Sequence, residues 1–292
     1  IGEDMKNIFK TLLCFLFILL IFTNRNILIN STIESIDLFN RSIFPSIFPI
    51  MILSNFIMST NIINLLSNTL GIFFSNLFNC NKCSIYPFIM SCISGTPSNA
   101  KYIKDLLDNK CITKNETIKL LSMCMLYNPI LIITLTSYLD RKDSILLVII
   151  NILINLFIGL INRSIKVEII NKPILIKKFN LIETINSSIN ALLSILGIII
   201  LFNIINGLLP IEHPLITGIF ELTNGINLIN KSLTTYKNKI LYTGVLLSFG
   251  GLSIITQIKS IFKEENTLDY TLFYKSRIIH LILFIIIIEI IY

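Results

Sequence analysis

The sequence predicts an all-α fold: a polytopic helical membrane protein with two inverted-type repeats, broken helices and re-entrant hairpins. Three observations predict it. The composition is apolar, with mean hydropathy +0.79, 53% hydrophobic residues and only 14% charged residues, against about 25% charged in soluble chains. Charge-free runs recur at 11–24, 43–81, 120–139, 144–162, 184–211 and 240–258, and several reach the roughly 20 residues that a spanning helix needs. Helix breakers interrupt these runs at matching places in two halves. A break in lipid strands N–H and C=O groups, so it persists only where protein or a water-filled cavity satisfies them. Paired breaks point to a transporter-like site near the bilayer midplane.

The elements follow in order. Residues before Met5 are set aside. A first helix is expected at 8–22, with Lys6 ahead of it and Lys10 in its first turn, which favours a cytoplasmic N-terminus. The stretch 31–58 starts amphipathic and is interrupted by Pro45 and Pro49, each lacking a backbone donor. Residues 61–79 carry many Asn and Ser and are expected at the interface. The run 84–93 is too short to cross and ends in Ser94-Gly95-Thr96-Pro97, so a re-entrant hairpin is expected. Residues 101–119 read as a charged helical stretch outside the membrane, where Thr113 and Glu116 have capping-box spacing.

A span at 120–139 is broken at Asn128-Pro129, and 144–162 crosses back. The loop 163–178 holds five basic residues and one acid, which places it in the cytoplasm. A span at 184–209 follows. Residues 214–227 are short and polar, with Glu221 and a break at Thr223-Asn224-Gly225, so a second re-entrant segment is expected. A span at 240–258 is broken at Gly250-Gly251, and 278–291 is the last. The odd span 144–162 separates the two sets, which would invert the second relative to the first. Basic-residue bias does not separate inverted from parallel arrangements. The shortness and polarity of 214–227 favour inversion.

Several function classes are disfavoured. The net charge of +7 sits in loops between apolar runs, without a basic stripe carrying interleaved aromatics, so no nucleic-acid partner is expected. Cys80 and Cys83 form a lone CxxC among six cysteines, and four zinc ligands are not available. No metal and no cofactor are expected. His213 and His280 stand apart, and no nucleophile–base pair or phosphate loop is visible, so an enzyme is not expected.

Candidate binding residues lie at the breaks. Glu221 is costly at membrane depth. It reads equally as a ligand for a substrate, cation or proton and as a carboxylate fixing one helix to another. Asn128 and Asn224 carry amides that both donate and accept, and each also suits a cap on broken backbone. Ser94, Gly95, Thr96 and Pro97 offer backbone at a half-helix terminus. Pro129, Gly225, Gly250 and Gly251 complete the set.

Four segments together resemble a known family. Phe44-Pro45-Ser46-Ile47-Phe48-Pro49 resembles a P-S-L-F-P-F block, and Ser94-Gly95-Thr96-Pro97-Ser98-Asn99-Ala100-Lys101 resembles S-G-Y-P-M-G-A-K. Glu221-Leu222-Thr223-Asn224-Gly225 resembles L-E-x-T-x-G, and Ser248-Phe249-Gly250-Gly251 resembles S-F-G-G ahead of Gln257. In this order the blocks are similar to the sporulation integral membrane protein YlbJ family, which carries the gate or nucleoside-recognition domain. Thr96 stands where an aromatic is usual, and Asn99 where a glycine is.

The resemblance implies a single transmembrane gate-type domain over 5–292. Repeat one is about 31–140, the linking span 144–162, repeat two about 180–260, and the final span 278–291. It also implies a multi-pass protein of the cell membrane, in mother cell or forespore, needed for endospore formation. Combined with the breaks, the expected function is that of a solute transporter or channel-like protein. The alternative is a non-transporting scaffold for spore coat or cortex assembly. The expected partners are the lipid bilayer and an unknown small solute, with a homo-oligomer left open.

Overall fold

The computed structural model describes residues 11–12, 15, 19–20, 22–170, 178–209, 213–265 and 267–292. The expected span 8–22 and the basic-loop residues 171–177 lie largely outside them. Among the described residues the chain is helical, without strands. Five helices among the described residues are long and apolar enough to cross a membrane: Arg25–Met58, Arg141–Ser164, Leu181–Leu208, Tyr236–Ile261 and Thr271–Ile291. The chain is a multi-pass helical membrane protein.

Helices α1 (Arg25–Leu38) and α2 (Phe44–Met58) form one rod joined by a π-helical turn, Phe39–Ile43. Pro45 cannot donate to the carbonyl one turn before it, and the turn widens there instead of breaking. Short helices α3 (Ile62–Asn68) and α4 (Leu70–Phe78) follow. Then α5 (Ile85–Ser94) and α6 (Ser98–Asp108) make a hairpin. Next, α7 (Lys114–Met123) and α8 (Pro129–Leu135) form a helix broken at Cys124–Asn128. A full span, α9 (Arg141–Ile161), and a long helix, α10 (Leu181–Leu208), come next. A second hairpin is α11 (Pro214–Phe220) with α12 (Leu222–Lys231). A second broken helix is α13 (Tyr236–Phe249) with α14 (Gly251–Ile261). Helix α15 (Thr271–Ile291) is the last.

Polar contacts at the two ends fix the chain directions. Lys114, at the start of α7, bonds Glu265 and Thr267 just beyond α14, each at 2.7 Å. Beyond the end of α8, Tyr138 Oη meets Thr243 Oγ1 of α13 at 2.6 Å, and the Asp140 N–H donates to Tyr236 Oη at 2.9 Å. The two broken helices therefore run antiparallel. Both ends of the first hairpin lie at the Lys114 end: Ser84 bonds Glu116 at 2.7 Å, and Lys104 reaches Glu265 at 3.6 Å. The second hairpin returns to the Asp140 end, where Lys239 Nζ donates to the Asn230 carbonyl at 3.0 Å.

Three expectations need correction. Residues 101–119 are not one exposed stretch. They divide into α6 and α7, and Glu116 and Lys119 are fully buried. Thr113 caps α7, but Glu116 does not return the bond, because its carboxylate is taken by Asn81 and Ser84. The break in the second hairpin falls at Glu221, and Thr223-Asn224-Gly225 are inside the first turns of α12. The carboxylate supplies a cap there, so the helix restarts before the glycine.

Candidate functional site

The irregular backbone converges at the centre of the fold. Gly95 ends α5 with φ +71° and ψ −174°, a region open in practice to glycine alone. A Cβ there would fall on the Asn128 nitrogen and 2.7 Å from the Tyr127 carbonyl carbon. The tip of the first hairpin thus presses directly against the first break.

The carbonyls freed by that break can be followed one by one. Ser122 O accepts from Arg277 Nη2 at 2.6 Å. Cys124 O accepts from Asn99 Nδ2 and from the Leu126 N–H. Met125 O accepts from Asn155 Nδ2 at 3.2 Å, and Leu126 O from Thr96 N and Oγ1 at 2.6 and 2.7 Å. Helix and hairpin side chains do what water cannot do in a bilayer. Asn128 Oδ1 caps α8 through Ile130 N at 2.8 Å, and Pro129 sits at the first helical position, where its missing N–H costs nothing. The Asn128 Nδ2 is buried without a partner. Ser94 is turned inward, its hydroxyl donating to Met90 O at 2.8 Å.

The second set is built differently. The Glu221 carboxylate accepts from Thr223 Oγ1, and from Asn224 N at 2.9 Å. These contacts make Glu221 the N-cap of α12. Asn224 Nδ2 donates to Asn203 Oδ1, and Asn203 Nδ2 to Ser35 Oγ, both at 2.6 Å. This chain of amides ties the hairpin tip to α10 and α1. Gly225 lies so close to Gly218 that a Cβ would strike its backbone.

Gly250, with φ +89°, closes α13 by donating its N–H to Leu246 O at 2.8 Å. A Cβ on it would lie 2.8 Å from Tyr127 Oη, and one on Gly251 would lie 3.3 Å from Leu222 N. The contacts therefore run from first hairpin to first break, to second break, to second hairpin.

Three residues at this centre, Asn151, Asn155 and Arg277, were missed in the sequence, and a fourth, His280, was set aside as isolated. Asn151 and Asn155 lie one turn apart on α9, and Arg277 and His280 on α15. Arg277 Nη2 also donates to Asn155 Oδ1 at 2.9 Å. His280 Nδ1 pairs with Ser248 Oγ at 2.9 Å, and its Nε2 lies 3.4 Å from Asn151 Nδ2. The spacings i, i+4 and i, i+3 in apolar spans were the available signal.

Beside the first hairpin tip is a cavity of about 180 Å³. Pro97, Ser98 and Lys101 line it from the hairpin, Ser194 and Ile198 from α10, Gln257 and Ser260 from α14, and Met51 from α2. Ser98 Oγ is buried without a partner. Far from this centre, Cys80 and Cys83 are buried free thiols, and burial pushes the Cys80 thiol up to about 12, which leaves it unreactive.

These features define a polytopic membrane protein whose interrupted helices meet, polar group to polar group, inside the fold. No family model and no solved structure matches the chain. It is similar to the sporulation integral membrane protein YlbJ of Bacillus subtilis (strain 168), with 24% identity over 276 residues, covering 77% of this chain and 68% of that protein. The resemblance read from the motifs is borne out by that similarity to a sporulation integral membrane protein.

Proposed function

We propose that this chain is a solute transporter or channel-like protein acting in endospore formation, with a gate-type domain of two repeats related by inversion. One observation carries the reading. In the wall of the cavity of about 180 Å³, Ser98 of the first hairpin and Gln257 and Ser260 of the second broken helix place a few polar groups among mostly apolar side chains, from Met51, Ala191, Ile195 and Ile261 among others. A scaffold has no need of a cavity with convergent polar groups between discontinuous helices, whereas transporters place their sites there. Ser98 and Gln257 supply hydrogen-bonding groups, which suits a polar solute. Neither catalysis nor a cofactor belongs to this reading. Its partners are the lipid bilayer and one small solute.

The test is a panel of nucleosides, amino acids, small anions and dipicolinate added to the purified protein. Buried Cys80, Cys83, Cys111 and Cys124 suit a thiol-reactive dye that reports melting. A stabilising solute whose effect disappears in a Ser98→Ala, Gln257→Leu double variant supports the site. No stabilisation by any solute, with normal sporulation by the double variant, rejects transport and leaves the scaffold.

A further inference from the structure

We propose that Arg277 holds the phosphate of an anionic lipid headgroup, in a second cavity that shares no lining residue with the solute site. Arg277 is 3% exposed within membrane-spanning α15. Its Nη2 is used by Ser122 O and Asn155 Oδ1, but Nε and Nη1 are buried without a partner. The ion pairs found among the described residues do not include it. Buried charges are paired or hydrogen-bonded throughout, and orphaned donors call for a partner outside the protein.

Arg277 belongs to the wall of a cavity of about 160 Å³ that also includes Phe249, Ile255, Tyr274, Ile278 and Leu281, and its buried Nε and Nη1 lie behind that wall. Arg277 is the one charged residue of that wall. A hydrated ion entering it would exchange water for hydrocarbon on almost every side. An amphiphile would not, because its chains continue along the same apolar surface. Ile278 is 59% exposed and Tyr274 37%, so the cavity lies on the lipid-facing side of α15. Arg277 stands six residues after Thr271, about 9 Å along the helix from its start. Lys259 Nζ, 5.3 Å from the Tyr274 ring centroid, adds a second cation at the rim. Basic pockets between spanning helices bind lipid headgroups on these terms.

The full chain, purified in detergent, is melted with short-chain phosphatidylglycerol, short-chain phosphatidylcholine or inorganic phosphate. The variants are Arg277→Met and Ile278→Trp. The second fills the cavity from the lipid side and leaves Arg277 bonded to Ser122 and Asn155, so it distinguishes ligand loss from misfolding. Phosphatidylglycerol is expected to stabilise the wild type most. Its apparent affinity should fall about fivefold or more in both variants, the value of one basic contact at a membrane. Equal stabilisation by inorganic phosphate makes the ligand a free anion and overturns the lipid assignment. Equal effects of the two lipids, or unchanged phosphatidylglycerol binding by Ile278→Trp, also overturn it.

Discussion

Replacing Gly95 by Ala tests whether the first hairpin and the first break form one packed joint. Two costs add. The backbone at φ +71° and ψ −174° strains any side-chain-bearing residue by about 1–3 kcal/mol. The new methyl falls on Asn128 backbone, which cannot rotate away as a side chain could. Overpacking of this kind costs about 1–3 kcal/mol more. The expected loss is about 2–6 kcal/mol, a large part of the roughly 5–15 kcal/mol that holds a typical domain. Gly197→Ala is the matched control, because a Cβ there meets nothing within 4 Å. In mid-helix it should stabilise by about 0.5–1 kcal/mol. Both variants would be unfolded by denaturant in detergent and followed by thiol-dye reactivity and helical circular dichroism. Similar stability for Gly95→Ala and Gly197→Ala would refute the joint. A loss confined to solute response, with unfolding unchanged, would refute its structural part.

Two further outcomes are expected. Glu116→Gln should destabilise by about 1–3 kcal/mol, because the carboxylate is surrounded by donors, and the new amide would turn its own donors towards Asn81 N, Asn81 Nδ2 or Ser84 Oγ; denaturant midpoints check this, and an unchanged midpoint contradicts it. The tie at the Lys114 end should depend on pH, since the hydrogen bond from Lys114, with the nearby Lys charges, holds the Glu265 carboxyl below the usual range. A depressed carboxyl stabilises the fold above its unfolded pKa of about 4.3 and loses that contribution as pH falls through the folded value. The stability difference between wild type and Glu265→Gln should therefore be constant at neutral pH and shrink under acid, and a difference that grows under acid has the wrong sign.

Breaks were legible where the cause is local. Gly95 and Gly250 take positive φ, and Pro129 lacks an N–H, so the chain shows these interruptions before it folds. The break at Glu221 was displaced in the reading because Gly225 drew it. Gly225 serves close approach to Gly218, a packing role that looks the same in sequence as a turn. His280 looked isolated because its partners, Ser248 and Asn151, are 32 and 129 residues away. Glu116 looked solvated because charge density along 101–119 says nothing of Asn81 and Ser84 folding over it.

The sequence by itself determined that this is a helical membrane protein, and it showed several of its long apolar helices and most of the described interruptions. Hydropathy, missing donors and glycine torsions act within one or two turns of helix. Only the tertiary structure decided that the four irregular segments touch, that Glu221 caps a helix, and that Arg277 and Asn155 satisfy the carbonyls of the first break. Those outcomes depend on which side chain reaches which carbonyl across the fold, and antiparallel packing of distant helices sets that reach.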